Sequence, residues 1–342
     1  MKIILSRKGF DTGYGGKPSP ILQDGRFFPL PIPYDRGAPI RYTDLPCPPG
    51  LEAHYATLAD YVIGHSAFRK AVVEEDQIDG RKPKTKRVRV TTDTLAHLDP
   101  DLHQGMRPRP SDWKPLFGQT GRALKILRKN EVGVGDVFVF WGLYDRLVPG
   151  RAGRPPRYEG KRMHCIFGWL QVGRVHQAPF PDLPAWGRYH PHAGADPGVW
   201  DEDNNWIFEA ADRLSLEGLD ADLPGAGIFP RFRPDLRLTR PGALRVDDWR
   251  LPSSFGSLMQ AGRWTCVGQR NWQEDDPGWM RFSTAGQWQE GVWDPLHAPG
   301  TLEWLAGLFR ESSVSLESDT MIGGPADDPT DRTPVPAAGM GC

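Results

Sequence analysis

Cysteine is scarce in this chain, membrane-length apolar runs are missing, and net charge is close to zero. The four cysteines, Cys47, Cys165, Cys266 and Cys342, are scattered through 342 residues and form no CxxC pair. That excludes a disulfide framework or a cysteine zinc site as the organising feature, and it predicts reduced thiols and a cytoplasmic location. No stretch reaches the roughly 20 apolar residues that a membrane span needs, and the apolar run in MKIILSRKGFD is too short for a signal peptide. A formal net charge of −1 argues against a protein that coats nucleic acid by electrostatics alone, while leaving room for a local basic patch.

Glycine (39) and proline (34) are plentiful, so much of the chain must be turns and irregular segments. Thirteen tryptophans serve either core packing or surfaces on which bases stack. The strongest strand signals are Gly135–Trp141 (GDVFVFW) and His164–Val175 (HCIFGWLQVGRV), apolar runs that predict the middle of one β-rich core. Lys2–Leu5 predicts a central strand. It runs into Ser6, Arg7, Lys8 and Asp11, a glycine-rich loop and then Pro18-Ser19-Pro20. A Walker loop is excluded by spacing and by prolines where its helix should start. What survives is an anion grip at a strand end, set against a structural turn carrying a solvated Arg-Lys pair. Arg81–Arg89 (RKPKTKRVR) is the one dense basic run, either a solvated loop or a phosphate contact.

In Thr94–His103 (TLAHLDPDLH), His97, Asp99 and Asp101 alternate, which in an extended segment puts all three on one face. Such a face can bind a divalent metal or do acid–base work. Equally, the two aspartates can cap turns around Pro100. With a distal histidine, His190 or His192, the His97-x-Asp99 spelling would complete the facial triad of an iron oxygenase. No 2-oxoglutarate clamp or double-stranded β-helix pattern accompanies it. Helices are expected near 51–71, 120–130 and 301–309. The fold class is α+β: one compact domain rich in short strands over residues 1–310, with a basic insertion at 71–89. Beyond residue 311 the Ser, Asp, Pro and Gly content predicts a disordered tail to residue 342.

Several motifs fall in one order: LSRKGFD (5–11), PSPI (18–21), LPIP (30–33), HLDPDL (97–102), FGQ (117–119), GDVFVFWG (135–142), FGWLQVG (167–173), GAGIF (225–229), LT (238–239) and WRLP (249–252). Together they resemble the bacterial family called nucleotide modification associated domain 3, from residue 1 to about 310. The resemblance implies association with systems that make or handle modified nucleotides or DNA bases, with no assigned reaction. The matching polar positions are Ser6, Arg7, Lys8, Asp11, Ser19, His97, Asp99, Asp101 and Gln119. Two segments depart from the pattern: the insertion, and GQWQEGVWD, which matches the closing motif loosely and contains Glu290.

These readings combine into an expected enzyme of nucleotide or DNA-base modification. In it, Asp11, His97, Asp99, Asp101 and Gln119 are catalytic, and Ser6, Arg7, Lys8 and Ser19 hold phosphate. His97 and Asp99 would bind a metal; the cofactor is otherwise open. Expected partners are a nucleotide or DNA and other modification-system proteins. The alternatives are a scaffold for a modifying enzyme, or a non-catalytic reader. For the reader, the order helix, glycine-aspartate turn, strand, loop, strand over 121–175 loosely resembles PUA-like barrels that flip a base against aromatic walls, with Trp141, Phe167 and Trp169 as candidates.

Overall fold

The computed structural model describes residues 1–11, 15–34, 39–64, 90–194, 199–265, 272–284 and 290–322, with backbone alone for 72–73, 85–86 and 312–322. The Arg81–Arg89 run lies outside the described residues, apart from the backbone of Thr85 and Lys86.

Six strands form the spine of the molecule: β1 (Ile3–Arg7), β2 (Leu116–Thr120), β3 (Val137–Val148), β4 (Met163–Gln177), β5 (Asn205–Ala210) and β6 (Glu290–Trp293). Their spatial order is β6-β1-β3-β4-β5-β2. β1 and β3 run parallel, and the other neighbours are antiparallel. The expected central strand and both apolar runs are therefore the heart of the sheet. Ile3, Ile4, Leu5 and Val137 to Phe140 are fully buried, as a strand covered on both faces requires. The Gly135 turn before β3 has φ +88°, a conformation that glycine reaches without strain. The Asp136 carboxylate clamps it by accepting from the amides of Lys2 and Gly133 at 2.6 and 2.9 Å.

The PUA-like order is present, as α1 (Gly121–Lys129), turn, β3 and β4, but it does not close into a barrel. β4 pairs with β3 along its first part. A bulge between Val172 and Arg174 then hands it over to β5. A bulge bends and twists a strand, and although side chains of the end strands β2 and β6 meet, no strand pairing joins them among the described residues. Trp141, Phe167 and Trp169 are at most 2% exposed and pack in the core, so they wall no open pocket.

The helix expected within 51–71 is a short one at Leu58–Gly64, and residues 65–71 lie outside the described ones. α1 buries Ala123, Leu124 and Leu127, the spacing that predicted it, and ends at Asn130. α2 (Pro299–Ile322) is longer than the amphipathic segment expected at 301–309, and it enters the predicted tail. The physical reason is the absence of a stop signal. Residues 311–322 contain neither glycine nor proline, and Gly323-Gly324-Pro325 is the first breaker. Residues 323–342 lie outside the described residues. Among the described residues no helix is long and apolar enough to cross a membrane.

Candidate active site

β2 is the last strand on the spine, so one row of its amides and carbonyls needs partners from elsewhere. The HLDPDL segment supplies them. Asp101 exchanges two main-chain hydrogen bonds with Leu116, at 2.8 and 3.2 Å, and the Gly118 amide donates to Asp99 Oδ1 at 2.7 Å. That docking fixes the Asp99 carboxylate against the sheet edge. His190 Nε2 lies 3.3 Å from Oδ1, and His97 Nε2 lies 3.7 Å from Oδ2. His97 stands at the end of the strand Leu95–His97, which pairs with Ile32–Tyr34.

His190 and His192 arrive from the loop after β4 and press on Gly118. A β-carbon there would lie 2.3 Å from the His192 ring and 2.8 Å from the His190 ring. The glycine of FGQ is thus a requirement of close approach. Asn205, the first residue of β5, accepts from His192 Nδ1 at 2.6 Å and donates through Nδ2 to the His192 carbonyl at 2.9 Å. A short aromatic stack covers the cluster. Trp200 lies flat on His192, with centroids 4.7 Å apart, and Tyr34 stacks on Trp200 while leaning against His97.

Burial pushes the Asp99 carboxyl up, but His190 and His97 beside it outweigh that and hold it well below the usual carboxylate range. Burial lowers the His192 imidazole to about 3 against the pull of Asp99, so the ring is neutral at physiological pH.

Asp101 takes a different place from the one alternation predicts. Extended backbone ends at His97. The amides of Leu98 and Asp99 bond back to Ala96 and His97, and the chain then re-pairs with Leu116. The Asp101 side chain is carried into a separate network, where it accepts from Arg109 at 2.6 Å and from the Tyr189 hydroxyl at 2.5 Å. Trp113 Nε1 also donates to Tyr189, and the Arg109 guanidinium lies over the Trp113 ring.

A second polar cluster sits on the core face of β2. Gln119 Nε2 donates to Glu290 Oε1 at 2.6 Å, Ser6 Oγ donates at 3.1 Å, and Lys8 Nζ approaches the same oxygen at 3.5 Å. Glu290 is fully buried, and its Oε2 has no hydrogen-bond partner. Burial raises its pKa, with Lys8 opposing. The Lys8 ammonium also lies 4.3 Å from the centre of the Phe117 ring. Gly142 allows this approach, because a β-carbon there would sit 2.6 Å from the Lys8 carbonyl.

The predicted site residues thus divide. His97 and Asp99 meet each other and the two loop histidines. Ser6, Lys8 and Gln119 meet at Glu290, on the opposite face of β2. Arg7 pairs with Asp11 at 2.8 Å, its guanidinium over Trp141. Ser19 Oγ accepts from the Leu30 amide, a main-chain duty. Tyr34, Trp200 and Asn205 carried no signal in the sequence beyond residue type. His190 and His192 were legible only as alternatives for a distal histidine beside His97-x-Asp99.

A family model described as nucleotide modification associated domain 3 matches residues 2–294, which include all six spine strands and both polar clusters. The chain belongs to the nucleotide modification associated domain 3 family. By its name, the family is associated with nucleotide modification, and the match reaches Glu290, so the loosely spelled GQWQEGVWD segment lies within the domain. No curated protein and no solved structure matches this family member.

Proposed function

We propose that the protein is an enzyme acting on a nucleotide, or on a base within nucleic acid, in a modification system, with its chemistry at His97, Asp99, His190 and His192. The observation that carries this reading is convergence. Three buried histidines from two separate segments surround one carboxylate that sheet-edge docking holds in place. Groups that move protons must lie within hydrogen-bond reach of one another and of their substrate. Here burial keeps the His192 ring neutral with a nitrogen lone pair to offer, and the ionised Asp99 stabilises positive charge beside it.

Tyr34 and Trp200 suit the substrate class. Both are partly exposed and give the border of the cluster an aromatic surface, the kind of surface that lies beside a planar base. The Glu290 cluster supports β2 from behind and fixes the strand that carries Gly118. Of the two N-terminal cations, Lys8 points inward and Arg7 retains 25% side-chain exposure beside Asp11. Arg7 is therefore the cation that phosphate would engage.

The test is turnover by the full chain of deoxynucleoside monophosphates and of a single-stranded oligonucleotide, read by mass spectrometry of the released nucleosides. Asp99→Asn should lower the rate by on the order of 10²-fold or more, while Arg7→Ala should raise KM more than it lowers kcat. Undiminished turnover in a folded Asp99→Asn protein overturns the reading. Binding of oligonucleotide with no turnover in any preparation favours the reader instead.

A further inference from the structure

The hydrogen bonds around the histidines assign their protons. Asn205 Nδ2 donates to the His192 carbonyl, so Asn205 Oδ1 is the atom facing His192 Nδ1, and an oxygen there requires a proton on Nδ1. The reversed amide would set two oxygens against each other. His192 Nε2 therefore keeps its lone pair. His190 Nδ1 accepts from the His192 amide at 3.3 Å, so the proton of neutral His190 is on Nε2, the atom directed at Asp99 Oδ1. Asp99 Oδ1 thus accepts from the Gly118 amide, while His190 Nε2 stands 3.3 Å away without a hydrogen-bond partner.

Oδ2 faces His97 Nε2 at 3.7 Å, beyond hydrogen-bond distance. The His97 side chain is only 9% exposed, and its Nδ1 is also without a hydrogen-bond partner. A buried imidazole with Nδ1 unpartnered, and with Nε2 held this far from a carboxylate oxygen, is costly unless something stands between them.

We propose that His97, Asp99 Oδ2 and His192 Nε2 bind a divalent first-row transition ion, with Asn205 and the Gly118 amide orienting the ligands. One ligand atom from each of the three residues lies within 4.8 Å of the others. Two atoms each about 2.1 Å from one ion are at most about 4.2 Å apart, so the ring closes with side-chain shifts on the order of an ångström or less. Two imidazoles and one carboxylate suit zinc, iron, cobalt or manganese and disfavour magnesium and calcium, which take oxygen donors. Three protein ligands leave at least one position open for water or substrate. Asn205 and the Gly118 amide do what outer partners of metal ligands do, fixing tautomer and carboxylate orientation. The inference deepens the proposed function, because it uses the same cluster, but it needs no substrate.

The experiment titrates the full, chelator-treated chain with Co²⁺, read by visible d–d absorbance and calorimetry. One Co²⁺ per chain is expected, displaced by Zn²⁺ and unaffected by Mg²⁺ in excess. Asp99→Asn keeps an acceptor for Gly118 and so preserves the fold. It and His192→Ala should each weaken binding by about 100-fold or more, and Asn205→Ala by roughly 10-fold. His176→Gln, at a buried histidine paired with Glu209 away from the cluster, should leave binding unchanged. A folded protein that takes up no Co²⁺, or one whose affinity survives His192→Ala, overturns the metal site. Metal binding without turnover leaves the site standing and removes the enzyme reading, whereas turnover without metal does the reverse.

Discussion

At the scale of single residues, small groups decide whether the site exists. A methyl at position 118 has no room beside His192 and His190. Gly118→Ala should therefore displace the loop histidines and cost about 1–3 kcal/mol, the usual penalty for overpacking. Urea midpoints and the histidine ring resonances check this, and an unchanged spectrum would refute it. Asp101 makes the opposite case, a motif carboxylate spent on structure. Its partner Arg109 is 3% exposed in the side chain, so Asp101→Ala strands a buried cation. The expected loss is about 3–5 kcal/mol of stability, with a smaller loss for Asp101→Asn, both measured by equilibrium unfolding.

His164 gives a pH dependence with a defined sign. Burial, and after it the charge of Arg7, lowers its pKa to about 3, and its Nδ1 accepts from Trp249 Nε1. An unfolded histidine binds its proton near pH 6.5, so between roughly 6.5 and 3 the unfolded chain holds a proton that the native chain does not. Stability then falls as pH falls, by about 1 kcal/mol per pH unit for each such histidine. His164→Gln should flatten the slope of midpoint against pH between 6 and 4. An equal slope in both proteins would sink the assignment.

At the scale of elements, legibility in the sequence followed locality. β1, β3 and β4 announced themselves because a strand buried on both faces reads as a continuous apolar run. α1 did so through its 3.6-residue spacing. The extent of α2 was hidden because composition suggested a tail, whereas helix termination depends on particular breakers. Phe309 is fully buried against Trp169 and Phe229. Phe309→Ala should cost about 3–5 kcal/mol, seen in thermal or urea melts, so that α2 behaves as core and not as an appendage.

The site was half legible for the same reason. The His97–Asp99 pairing is local, and its spelling shows it. That His190, His192 and Asn205 close around it depends on where β4 and β5 carry the chain, which no local period encodes. Asp101 leaves the face that alternation predicts because the extended backbone stops at His97. Glu290 stands in a loosely spelled motif. Its importance lies in three distant partners, and one of them is the residue next to Gly118.

At the scale of the whole molecule, the two clusters are set back to back on β2. The histidines lie against one face and the Glu290 network against the other, so two adjacent residues, Gly118 and Gln119, each serve one of them.

The position of β1 has a consequence in time. It is made before the other strands of the spine, yet one flank pairs with β3 and the other with β6, at residues 290–293. A ribosome adding about 5–20 residues per second leaves that second flank open until nearly the whole domain has emerged. Ser6 and Lys8 likewise wait for Glu290, and the nascent chain must keep an apolar strand edge uncommitted throughout. The final strand of the spine seals its earliest one, so a truncation before residue 290 should yield an aggregating product and not a smaller folded one, as light scattering of the truncated chain would show.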